Sequence, residues 1–164
     1  MASKLRVSGI VEESITDGEG LRFVIFTQGC THHCSGCHNP QTHAMDGGHW
    51  MEISVLAARI LENPLLDGVT FSGGEPFLQA EALAVLGRTV KKHGLDIVTY
   101  TGYTYEALQK MKHIRPDIQA LLHATDILID GPYIQEQKDL ALAYRGSKNQ
   151  RIIRLHAGMK AEPF

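Results

Sequence analysis

All three cysteines of this chain fall within eight positions, at Cys30, Cys34 and Cys37. An odd count packed this tightly does not make a disulfide framework, which spreads paired cysteines along a small domain. The fold must therefore rest on a hydrophobic core, and the thiols are left for metal or redox chemistry. With 164 residues, 43% of them hydrophobic, the chain can bury such a core, and a single domain over 1–164 is expected. A formal net charge of −2 argues against a nucleic-acid binder. Only Lys148, Arg151, Arg154 and Lys160 gather into a local basic cluster.

The N-terminus carries Lys4 and Arg6 but no following apolar stretch of secretory length. The longest mostly apolar run, 53–61, is broken by Ser54 and Arg59 and falls far short of the roughly 20 residues of a membrane helix. A cytoplasmic location is expected. Apolar runs at 23–26, 69–71, 97–100, 127–129 and 152–155 read as strands, mostly unalternating as in a buried parallel sheet, with a further strand over 5–11. Between them, helical spacing appears at 53–61 and 79–93, and Pro116 divides 104–123 into two short helices. Strand–helix alternation predicts an α/β fold with a mainly parallel sheet. A closed eight-fold barrel takes about 250 residues, so an incomplete, open barrel is expected. Its active groups belong at the C-terminal strand ends, where Gly29-Cys30, Ser72-Gly73-Gly74, Thr101-Gly102 and Asp130-Gly131 all fall.

The segment from Gly29 to Pro40 holds the densest chemistry. Its Cys-x-x-x-Cys-x-x-Cys spacing lets a compact loop turn three thiolates onto one inorganic core, with Gly29 and Gly36 relieving backbone crowding. A four-iron cluster normally takes four cysteines, so one iron would have no cysteine ligand here. A structural zinc site of three cysteines with His38, His32 or His33 is the alternative from spacing alone. His32 and His33 read as exposed loop residues, and His43 and His49 as surface residues. Downstream, Ser72-Gly73-Gly74-Glu75 reads as a strand end followed by a turn that can approach a small polar ligand closely. Glu75 can accept from a ligand ammonium group or brace the turn.

Together the cysteine spacing and the Gly-Gly-Glu turn resemble the radical S-adenosylmethionine (SAM) superfamily. Asp17-Gly18-Glu19-Gly20-Leu21-Arg22, Phe26-Thr27-Gln28-Gly29-Cys30 and Cys37-His38-Asn39 look like the glycyl-radical-enzyme activases. Asp130-Gly131-Pro132-Tyr133, Lys138-Asp139-Leu140 and the run 144–153 are most similar to the activases of anaerobic ribonucleoside-triphosphate reductase. The resemblance implies the radical SAM type of open barrel. It implies a [4Fe–4S] cluster on Cys30, Cys34 and Cys37, and a SAM site drawing on His38, Asn39, Ser72, Gly73, Gly74, Glu75 and Asp130. It also implies reductive cleavage of SAM to a 5′-deoxyadenosyl radical, which takes a hydrogen atom from a glycine of the reductase large subunit, with an electron donor such as flavodoxin. Where pyruvate formate-lyase activase has an acidic residue at the end of its third strand, this chain reads Thr99-Tyr100-Thr101-Gly102, so those SAM contacts do not carry over. Asp17-Gly18 and 145–151 are candidates for contact with the glycine loop, and Tyr100 and Tyr103 for the neighbourhood of adenine. Two other readings compete: a radical SAM enzyme acting on a small molecule, similar to 7-carboxy-7-deazaguanine synthase, and a non-catalytic zinc or electron-transfer module.

Overall fold

In the computed structural model, which describes residues 2–156, one mixed seven-stranded sheet organises the chain. Four strands form its parallel centre: β2 (Arg22–Thr27), β4 (Gly68–Gly73), β5 (Asp96–Tyr100) and β6 (Ile127–Asp130). Beyond β2 lie β1 (Lys4–Ser14) and β3 (His49–Glu52), each antiparallel to its neighbour. Beyond β6 lies β7 (Arg151–Arg154), giving the order β3-β1-β2-β4-β5-β6-β7. The sheet is open, with β3 and β7 at its two edges.

Helices return the chain between the parallel strands. They are α1 (Ile53–Leu61), α2 (Ala80–Lys91), α3 (Tyr105–Met111) and α4 (Pro116–Ala124). The expected break at Pro116 is where α4 starts, because proline suits a first helical turn whose N–H needs no partner. Thr104 opens α3, its hydroxyl accepting from the Ala107 N–H at 3.2 Å.

Two expectations need correction. The run at 152–155 was expected in a parallel sheet, yet β7 runs antiparallel to β6. The reason is the connection: 131–150 holds a 3₁₀ turn at Gln135–Gln137 and a single antiparallel bridge between Lys138 and Ser147 but no crossover helix, so the chain returns instead of crossing over. Strand β3 was missed because His-Trp-Met-Glu lacks a buried apolar run; it is an edge strand with three of four residues exposed.

The two faces of the sheet differ. On one, Phe23, Ile25, Val69, Phe71, Ile97 and Leu128 pack with Leu56, Ile60, Leu83, Leu86, Leu108, Ile118 and Leu121 from the helices. On the other, a small cluster of Val98, Ile127 and Ile129 is joined by Tyr100, Tyr144 and Ile152, with no helix residue among them. Arg22 lies buried there, paired with Asp96 at 2.6 Å. It also donates to Thr70 Oγ1 (2.7 Å), the Glu19 carbonyl (2.9 Å) and the Val69 carbonyl (3.0 Å). Thr70 in turn donates to the Asp17 carbonyl at 2.7 Å, so the 17–20 turn is strapped across this face. Gly18 is required in that strap: its φ is +120°, and a Cβ would stand 2.9 Å from Arg22 Cδ.

Candidate active site

Because β2, β4, β5 and β6 run parallel, their C-terminal ends share one edge of the sheet. A cavity of about 630 Å³ opens there. Cys30, Cys34 and Cys37 all line it, with His38 and Asn39 from the same loop, Ser72, Gly73 and Gly74 from the end of β4, and Tyr133, Tyr144 and Arg145 from the returning segment. A groove of similar volume, about 690 Å³, runs between α2 and α4, but its walls carry Arg88, Lys91, Lys92 and His123 and neither the cysteines nor the glycine turn.

The cysteine loop is held by its backbone. Gly29 N–H donates to the Thr42 carbonyl at 2.6 Å, Cys30 N–H to His43 at 3.2 Å, and Cys37 N–H to Cys34 at 3.2 Å. Asn39 N–H points at Cys37 Sγ at 3.4 Å, the kind of hydrogen bond that stabilises a thiolate. The glycine turn is bound to this loop: Glu75 N–H donates to the Gly29 carbonyl, and Gly74 N–H to that of Thr27, each at 2.8 Å. A Cβ on Gly74 would lie 2.2 Å from the Gly29 oxygen. The turn thus needs glycine first for its approach to the cysteine loop, a reason that sequence reading assigned to a ligand.

Glu75 is fully buried and does not line the cavity. Its Oε1 accepts from Thr101 Oγ1 (2.7 Å), Gly102 N–H (2.8 Å) and His32 Nε2 (2.6 Å); Oε2 accepts from Phe77 N–H (2.9 Å). Of the two roles open to it, bracing the turn is the one its partners fill. Asp130 is also buried behind the wall. It accepts from Tyr105 N–H at 2.7 Å and from Arg151 at 3.1 and 2.5 Å.

A model of a 4Fe-4S single cluster domain matches residues 16–153. An anaerobic ribonucleoside-triphosphate reductase-activating protein of Haemophilus influenzae is 38% identical over 150 residues, covering 85% of this chain and 92% of that one. Its counterpart in Vibrio cholerae is 38% identical over 148 residues, with the same coverage. The chain belongs to this activating-protein family. A pyruvate formate-lyase-activating enzyme of Clostridium pasteurianum is 37% identical over 128 residues, 74% of this chain and 54% of that one. Among solved structures, QueE from Escherichia coli aligns at a TM-score of 0.48 and 18% identity over 62% of this chain and 54% of that one.

The cavity's donors fit the cluster of the family. All three cysteines are free and partly exposed. Burial, with the negative charges of Glu75, Cys34 and Cys37, pushes the Cys30 thiol above its ordinary value. A bound iron core reverses that preference, since a coordinated thiol is deprotonated outright. Among the described residues no group of three or more His, Cys, Asp or Glu side chains is placed to hold a single metal ion.

Other expectations divide. His33 and His49 are exposed as expected, but His32 is half-buried against Glu75 and His43 lines the cavity. Asp17 and Arg145 line it too, whereas Arg151 is bound to Glu106 and Asp130 away from it. Lys148 is exposed, and Lys160 lies outside the described residues. Tyr100 lines the cavity and donates to the Tyr144 carbonyl at 2.6 Å; burial raises its hydroxyl's pKa. Tyr103 packs edge-on to His32, with ring centroids 4.6 Å apart. Sequence reasoning missed the Thr101–Gly102–His32 network around Glu75. Gly102 was its only trace, a glycine where a Cβ would stand 2.5 Å from the His32 ring.

Proposed function

We propose that this chain activates anaerobic ribonucleoside-triphosphate reductase by generating a glycyl radical on its large subunit. One observation carries the reading: the three cysteines and the glycine turn share one cavity, tied together by the 2.8 Å bond from Glu75 N–H to the Gly29 carbonyl. Cys30, Cys34 and Cys37 would hold a [4Fe–4S] cluster, with SAM bound beside it. Such a cluster would supply the electron for reductive cleavage of SAM, the chemistry that would generate the glycyl radical on the partner.

This chain's residues supply position and enclosure. Ser72, Gly73 and Gly74 offer backbone and hydroxyl groups to the amino-acid end of SAM, with His38 and Asn39 beside them. Glu75 and Asp130 act from behind the wall, fixing the turn and the start of α3. Tyr100 and Tyr144 present aromatic surface to the nucleoside. We read the sheet as an incomplete barrel of the radical SAM type, a single domain over 1–164, whose helix-free face admits a peptide loop. Asp17 and Arg145 stand at that entrance. Among the described residues no helix is long and apolar enough to cross a membrane. A cytoplasmic setting and a flavodoxin-like electron donor complete the proposal.

The test is SAM cleavage by the anaerobically reconstituted protein under a strong reductant, with and without the reductase large subunit. One 5′-deoxyadenosine per activated subunit, dependent on that subunit, is expected. Multiple-turnover cleavage supported by a small metabolite alone would overturn the assignment of the partner.

A further inference from the structure

His32 stands between Cys30 and Cys34, yet its ring leaves the cysteine loop and reaches Glu75, 43 residues away in sequence, at 2.6 Å. The same oxygen already accepts from Thr101 Oγ1 and Gly102 N–H, so the imidazole Nε2–H is read as the donor. The ring has little freedom. It lies over Gly102, where a Cβ would fall 2.5 Å from it, and Tyr103 meets it edge-on at 4.6 Å. Only 16% of the side chain is exposed, and it lines the cavity. The same Glu75 oxygen also takes Thr101 Oγ1 and Gly102 N–H. Three segments therefore meet on one buried oxygen: the cysteine loop, the glycine turn and the end of β5.

We propose that His32 is a positioning residue that holds the cysteine loop in register with the glycine turn. This inference rests on the reading of the site as a cluster-and-SAM site and assigns a role within it. The cysteine loop would hold the cluster and the glycine turn the amino-acid end of SAM. SAM binding would then depend on the two segments keeping their relative placement. The 2.8 Å backbone bond from Glu75 to Gly29 fixes the turn to the start of the loop only. His32 fixes the stretch between the first two cysteines, which that bond does not reach. Groups that orient metal ligands from behind typically cost about 10–100-fold in metal affinity or activity when removed, and a loss of that order is expected here in the affinity for SAM.

The experiment compares wild type, His32→Ala and His32→Gln, each reconstituted anaerobically. Iron and sulfide content, SAM affinity by equilibrium dialysis and the cluster reduction potential are measured on each. Glutamine places an N–H donor near the imidazole Nε2 position. The expected result is an unchanged iron and sulfide content in all three, a SAM Kd raised about tenfold in His32→Ala, and a Kd returned close to wild type in His32→Gln. Equal affinities in all three proteins would overturn the role. So would loss of the cluster in His32→Ala, because His32 would then serve to hold the cluster, not to set its register with the turn. Failure of the wild type itself to bind SAM would instead defeat the underlying reading of the site.

Discussion

On the helix side of the sheet, Phe23, Ile25, Val69, Phe71 and Leu128 are sealed beneath α1–α4. On the other side, alternate residues of the same strands include Arg22, Thr70, Ser72 and Tyr100 beside the small apolar cluster of Val98, Ile127 and Ile129. The first face is a continuous apolar core whose energetics follow buried area. The second is held by a buried guanidinium and a strapped turn at one end, and at the other it opens into the cysteine-lined cavity. One set of strands thus separates stability from chemistry. A small domain needs this division, since a cavity of about 630 Å³ forgoes packing that the helix side must make up.

Substitutions on the two faces should therefore fail in different ways. Cys34→Ser should have the largest effect, loss of the intact four-iron cluster by iron and sulfide analysis. Apo-protein stability in urea should stay within about 0.5 kcal/mol of wild type. Retention of a full cluster would break the comparison. Leu83→Ala should do the reverse. Leu83 is fully buried under the helix layer, and its truncation should cost about 2–5 kcal/mol in urea unfolding while the folded fraction keeps its cluster.

Arg22→Ala sharpens the comparison within the open face. It removes the pair with Asp96 and the donors to Thr70, Glu19 and Val69. A loss of about 2 kcal/mol is expected, less than for Leu83→Ala because Asp96 keeps partial access to water. The smallest effect is expected at the rim. Hydrogen bonding to Arg151 holds the Glu106 carboxyl at about 2, below its ordinary 4.5. A depressed carboxylate contributes its stability above the unfolded value and loses it as pH falls toward the folded one. Wild type should therefore lose stability more steeply than Glu106→Gln between pH 4.5 and about 2, with the two indistinguishable in slope near neutrality. Parallel unfolding curves across that window would remove Glu106 from the account.

What the sequence made legible follows the same divide. The parallel centre could be read because strands buried on both faces leave unbroken apolar runs, as at 23–26 and 69–71. The edges could not. Three of the four residues of β3 are exposed, and the direction of β7 depends on a connection without a helix, not on its own residues. In the site, the cysteines and the glycine turn were legible as local spacings. The Glu75 network was not, because His32, Glu75 and Thr101 meet only after the strands are assembled, across separations of 43 and 26 residues. Glu75, for which ligand contact and turn bracing were both open, and Asp130 are buried among protein partners, since sequence marks a residue's chemistry but not which side of a wall it takes.

On this reading the cavity on the open face arms a glycine on a partner protein. Anaerobic electron paramagnetic resonance of the reconstituted chain with SAM, a strong reductant and the reductase large subunit tests it most directly. The account predicts a doublet from a glycine-centred radical on the reductase, absent without SAM and absent with Cys34→Ser. SAM cleavage with no glycyl signal, on a subunit shown to be activatable, would contradict it.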